Sequence, residues 1–228
     1  MSLIGTGLYS LDQAARLVRA DARAVRRWML GYSRTVNGEK RTSLPLWTTQ
    51  LRGEDLQGNF IGFQDLVELR FVNAFARHGV SLPVIRATAD FARQQFGTNY
   101  PLTSQRFLTD GKTIFYEAVR QSGESDLLEV RQKQFVFADI IKPSLFAGLE
   151  YADGVARRWY PMGTKSDVVL DPDRQFGTPV VASVGIPTDT IYASYLAECK
   201  RKSTVARIFD LTIKAVSDAV KFEEGLLS

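Results

Sequence analysis

The chain holds one cysteine, Cys199, and one histidine, His78. A single thiol excludes an internal disulfide and suits a reducing cytoplasm. One imidazole and one thiol cannot build a Cys/His zinc site, and Cys199 has no context for a nucleophile. His78 stands beside Gly79 at the end of a predicted helix, where a cationic ring favours the helix dipole. Neither a G-x-x-x-x-G-K-[ST] loop nor a G-x-S-x-G elbow occurs. Asp171 and Asp173 flank Pro172 in a predicted turn, where Asp bonds its own backbone. Asp189 falls in a helical first turn, so the three are expected not to form a metal cluster. No apolar run reaches the ~20 residues that span a bilayer. The N-terminus lacks the basic and apolar segments of a secretory signal. No enzyme, cofactor, metal site or membrane span is expected.

What is present is a basic head. Residues 1–52 hold nine Lys or Arg against three acids, a balance of +6 where the whole chain has +4, leaving −2 for the remainder. Such segregation suits a polyanion partner. Within the head, Leu11, Ala14, Ala15 and Val18 recur on one helical face, with Ser10 as N-cap. Asp21 caps a second helix whose buried stripe is Ala24, Val25 and Trp28. Arg19, Arg23, Arg26 and Arg27 crowd the turn and the other face. Two short helices with arginines on the second follow the layout of a helix-turn-helix. Asn37-Gly38 then signals a hairpin, flanked by Arg34, Lys40 and Arg41, whose natural target is a phosphate backbone.

The Tyr9-Ser10-Leu11 start, the Ala14-Ala15 pair and the Val25-Arg26-Arg27-Trp28 run resemble the opening of the MerR-type winged helix. The resemblance covers about fifty residues and departs at the turn, where Arg19 replaces a usual glycine. It implies DNA contacts from Arg19, Arg23, Arg26, Arg27, Arg34, Lys40 and Arg41.

Farther on, apolar residues predict a helix over Phe60–His78, wide enough to need two packing partners or a dimer seam. A second, capped by Ser81, runs to Phe96. Asp110-Gly111 reads as a hairpin turn between Arg106–Thr109 and Lys112–Glu117. Leu127–Val130 reads as a strand, Phe135–Leu149 as a helix kinked at Pro143, and Asp153-Gly154 as a third hairpin turn. Residues 161–167 read as a linker. The last sixty residues predict a short strand, an extended Pro-Val-Val segment and three helices, Ile191–Ala197, Thr204–Asp210 and one from Ile213 to about Glu224.

That tail carries D-P-x-x-x-F-G-x-P-V-V, then I-P-T-D-T-I, on Pro172, Gly177, Pro179, Val180, Val181, Ile186 and Pro187, with Leu211, Thr212, Val216 and Ala219 behind. It is similar to a small bacterial domain of formerly unknown function found in antitoxins. It departs at Gly185, where an Arg is usual, and at Phe209-Asp210, where Tyr-Pro is favoured. Together the parts resemble the longer antitoxins of the VapB group.

The expected architecture is therefore mainly α with small β hairpins. A winged helix-turn-helix fills 1–58, a mixed α+β middle or dimerisation region 59–161, and a helix-turn-helix-like antitoxin domain 168–228. The resemblance implies a cytoplasmic homodimer that binds operator DNA and neutralises a PIN-domain ribonuclease toxin. Arg157, Arg158, Lys200, Arg201, Lys202, Arg207 and Lys214 are candidates for secondary DNA or toxin contacts. The competing expectation is a one-component DNA-binding regulator with a ligand-responsive middle and no toxin.

Overall fold

The computed structural model describes residues 5–51, 58–121 and 146–227. It is mainly helical, with small two-stranded sheets. The predicted strand Leu127–Val130 and residues 135–145 of the predicted helix Phe135–Leu149 lie outside the described residues, and Leu149 itself opens a strand.

The described chain divides into two compact units. The larger takes 10–51, 58–121, 146–147 and 151–156. It follows a two-residue strand, β1 (Tyr9–Ser10), with α1 (Leu11–Val18) and α2 (Ala22–Leu30). The hairpin β2 (Tyr32–Val36) and β3 (Glu39–Ser43) comes next, then β4 (Phe60–Ile61). Three longer helices complete it, α3 (Phe63–Arg77), α4 (Leu82–Phe96) and α5 (Gln105–Gln121).

Helix α3 is the unit's axis. Its wide apolar face, read from sequence as a possible dimer seam, is covered inside this one chain by α1 and α4. Phe71 meets Phe107 edge-on with ring centroids 6.3 Å apart, and Phe75 stacks on Phe115 at 5.6 Å.

Helix α5 corrects the hairpin expected around Asp110-Gly111. Phe107, Gly111, Ile114, Phe115, Ala118 and Val119 are all buried, and their spacing of three and four is helical rather than alternating. Packing against α3 and α4 overrides the local turn signal.

The other unit gathers 5–9, 148–150 and 157–227. The hairpin β5 (Leu149–Ala152) and β6 (Val155–Trp159) turns at Asp153-Gly154 as expected. Its base belongs to this unit and its tip to the larger one. Strands β7 (Val168–Val169) and β8 (Val180–Val181) are antiparallel, with Val168 opposite Val181. Helices α6 (Thr188–Ala197), α7 (Lys202–Ile208) and α8 (Ile213–Leu227) pack around Val181, Ile191, Val205, Val216, Ala219 and Val220. Helix α7 spans Lys202–Ile208 where Thr204–Asp210 was expected, and Thr212 caps α8 by accepting from the Ala215 N–H at 3.1 Å. Asp210 closes α7 at φ 52°. Proline, with φ fixed near −65°, cannot take that conformation. Residues 161–167, read as a linker, are tied into this unit: the Ala182 N–H donates to Asp167, whose own N–H donates to the Asp218 carboxylate at 3.1 Å.

Candidate nucleic-acid interface

Local capping sets both head helices. The Ser10 hydroxyl accepts from the Gln13 N–H at 3.1 Å, and the Gln13 side chain accepts from the Ser10 N–H at 2.9 Å, a reciprocal capping box. Asp21 accepts from the Ala24 N–H at 2.8 Å.

Between them, Arg19 takes the left-handed conformation, φ 55° and ψ 48°. The Ala20 N–H returns to the Ala15 carbonyl at 2.8 Å and the Arg19 N–H to Arg16 at 3.1 Å. This is the helix ending usually given to glycine, and here arginine occupies it. Asn73 of α3 holds it from below, its amide donating to the Val18 carbonyl at 2.8 Å.

Helix α2 buries Val25, Trp28 and Met29. Arg23, Arg26 and Arg27 are exposed, as are Arg19, Arg34, Lys40 and Arg41. Arg26 differs from the rest, because one Nη donates to both carboxylate oxygens of Asp12 at 3.1 Å. No hydrogen bond or ion pair engages the side chains of Arg19, Arg23, Arg27, Arg34, Lys40 or Arg41 among the described residues.

The hairpin turns at Asn37 (φ 53°) and Gly38 (φ 82°). Both angles are positive, as its tight turn requires. Arg34 stands directly opposite Arg41, and Thr35 opposite Lys40. Like charges facing each other across a strand pair destabilise it, so folding alone gives no reason for this pair; an anion between them would relieve it.

Beyond the hairpin the backbone is pinned to the helical core. Arg86 donates to the carbonyls of Leu44 and Pro45 at 2.7 and 2.8 Å. Buried Asp65 accepts from the Trp47 indole at 2.8 Å and from the Gln50 and Gly62 N–H groups at 2.9 Å. Burial pushes the Asp65 carboxyl above its usual range against these donors. One turn on, Glu68 accepts from the Leu102 and Thr103 N–H groups at 3.2 and 3.1 Å. Complete burial pushes its carboxyl up to about 8. Sequence reading missed Asp65, Glu68, Asn73 and Arg86. Asp65 had a weak signal, a carboxylate three residues after the Gly62 N-cap; the others had none.

The secondary basic residues fall into two groups. Arg158 is engaged, its Nε donating to Asp171 at 2.8 Å with Glu150 at 3.6 Å. Lys214 pairs with Asp218 at 2.7 Å, and Lys202 donates to Ser217 at 2.9 Å. Arg201 donates to the Glu198 carbonyl at 3.3 Å. Arg157, Lys200 and Arg207 are exposed and have no partner among the described residues.

Elsewhere, Asp171 accepts from the Asp173 N–H at 3.0 Å in the expected local turn. The His78 ring meets the Ala74 carbonyl at 2.8 Å at the end of α3. Among the described residues no three His, Cys, Asp or Glu side chains gather as a metal site, and no helix is long and apolar enough to cross a membrane.

No family model matches the chain. Across 93% of its length it superposes on 96% of a crystal structure of Rv2018 from Mycobacterium tuberculosis, with a TM-score of 0.71 at 24% identity, a likeness of fold. It is also 30% identical over 196 residues, 78% of each chain, to the protein of Mycobacterium tuberculosis (strain ATCC 25618 / H37Rv) named "Putative antitoxin VapB45". A mainly helical chain with this kinship is a regulatory protein of the antitoxin class. It belongs to the VapB antitoxin family.

Proposed function

We propose that this chain is the antitoxin of a type II toxin–antitoxin pair, neutralising a PIN-domain ribonuclease and, as a cytoplasmic homodimer, repressing its own operon. The observation that carries the reading is the 30% identity to an antitoxin over 78% of both chains. The DNA part rests on the head. Its MerR-like helix pair and hairpin expose Arg19, Arg23, Arg27, Arg34, Lys40 and Arg41, whose side chains have no partner among the described residues. In this reading α2 enters the major groove and the hairpin lies on the backbone, and a dimer reads half-sites about 34–36 Å apart. Arg157, Lys200 and Arg207 remain available for a toxin's acidic, metal-binding pocket.

Co-expression with the product of the adjacent gene, followed by size-exclusion chromatography with light scattering, tests the reading. A stable complex and rescue from that neighbour's toxicity are expected. No complex, from a chain that still shifts its promoter DNA, favours the ligand-responsive regulator. That alternative draws on a cavity of about 190 Å³ in the larger unit, lined by Gln64, Phe96, Tyr100, Thr103 and Arg106.

A further inference from the structure

Three acids stand among the nine basic residues of 1–52, and two have evident tasks. Asp21 caps α2. Asp12, in the first turn of α1, takes both of its oxygens to one nitrogen of Arg26 on α2. Arg26 and Asp12 are 56% and 62% exposed. A surface ion pair of this kind contributes little to stability, and a carboxylate on a basic face opposes any polyanion that approaches it. The helix dipole accounts for an acid in that first turn, but the aim of its carboxylate at Arg26 needs a further reason.

Its geometry supplies one. A free arginine on a helix surface samples many rotamers, and ordering it on binding costs entropy. Asp12 occupies one Nη and leaves three N–H donors, two on the other Nη and one on Nε. The guanidinium, itself 56% exposed, is thereby held by one end, while the side chains of Arg23 and Arg27 have no partner among the described residues.

We infer that Asp12 is a positioning residue: it pre-orders Arg26 for an acceptor on operator DNA, and so favours binding although it is itself an anion. This rests on the DNA reading above. The two hypotheses of Asp12, charge and positioning, predict opposite signs.

The test is fluorescence anisotropy of the full chain on a duplex from the promoter of its own gene, across a salt series, with a scrambled duplex beside it. Asp12→Asn removes a negative charge but also the grip on Arg26, and its promoter affinity is expected to fall about three- to tenfold. Asp12→Glu should recover part of the loss. In an Arg26→Ala background the sign should reverse, with Asp12→Asn neutral or slightly tightening. Circular dichroism melts confirm that each variant is folded. Tighter promoter binding by Asp12→Asn in the native background, or the same effect with and without Arg26, overturns the inference. A wild-type chain with no salt-dependent binding to either duplex overturns the DNA reading itself, and this inference with it.

Discussion

The Tyr9 hydroxyl donates to the Gly177 carbonyl at 2.8 Å, joining residues 168 positions apart. Leu8 lies alongside, its N–H on the Phe176 carbonyl at 2.8 Å. Gly177 has φ 82°, and a Cβ there would meet the Tyr9 oxygen at 2.2 Å. Burial, aided by Asp171, raises the Tyr9 hydroxyl far above its usual range, so it stays a donor. Tyr9→Phe should cost about 1–2 kcal/mol, because the buried carbonyl loses its partner. Gly177→Ala should cost more, since it adds a clash to a left-handed backbone. Urea unfolding that ranks the two variants otherwise would contradict this contact.

Arg19→Gly should stabilise the chain by about 1 kcal/mol, because the left-handed conformation costs an L-residue about that much and glycine nothing. If Arg19 also contacts a phosphate, the same change lowers the log–log salt slope of DNA binding by about one. A variant that melts lower than the parent would contradict the strain assigned to this turn.

Among the basic residues, the engaged and the unengaged should separate in two assays. Arg23→Ala with Arg27→Ala, or Lys40→Ala with Arg41→Ala, should weaken promoter binding and reduce its salt dependence while leaving stability within about 0.5 kcal/mol. Arg158→Ala should behave in the opposite way. It strips the closest cation from Asp171, whose side chain is 3% exposed, and should cost about 1–3 kcal/mol. Arg157→Ala is the control and should leave stability unchanged.

Glu68 gives the fold a pH dependence. Its carboxyl stands at about 8 in the folded chain against an ordinary 4.5. The folded state therefore holds this proton more tightly than the unfolded state does. Stability from this group is complete below about 4.5 and is lost as pH rises through about 8. Glu68→Gln should flatten that decline. It should also lower stability in acid, because an amide offers one oxygen to two N–H groups where a carboxyl offers two. Denaturant midpoints from pH 5 to 8.5 would show it, and an unchanged slope in the variant would acquit Glu68.

The parts legible in the sequence are those specified by neighbours along the chain. Ser10 and Asp21 announce α1 and α2 because capping is local, and Asn37-Gly38 and Asp153-Gly154 announce hairpins because turn geometry is local. Asp110-Gly111 misled for the same reason: the local signal is real, but burial of Phe107, Ile114 and Phe115 against α3 and α4 outweighs it. The candidate site divides likewise. Exposed arginines could be named from the spacing of α2. Which of them are already held could not, because Asp12 reaches Arg26 across a turn and Arg158 reaches Asp171 from another strand.

The grip of Tyr9 on Gly177 also orders events during synthesis. Chains emerge N-terminus first and begin folding as they do. Helix α3 is made early, and the Tyr9 hydroxyl and Leu8 N–H then have no Gly177 or Phe176 carbonyl to bond. Their partners are made 168 residues later. A chain that stops before Gly177 therefore leaves the Tyr9 hydroxyl without this acceptor. Tyr9 is fastened only once residue 177 has been made.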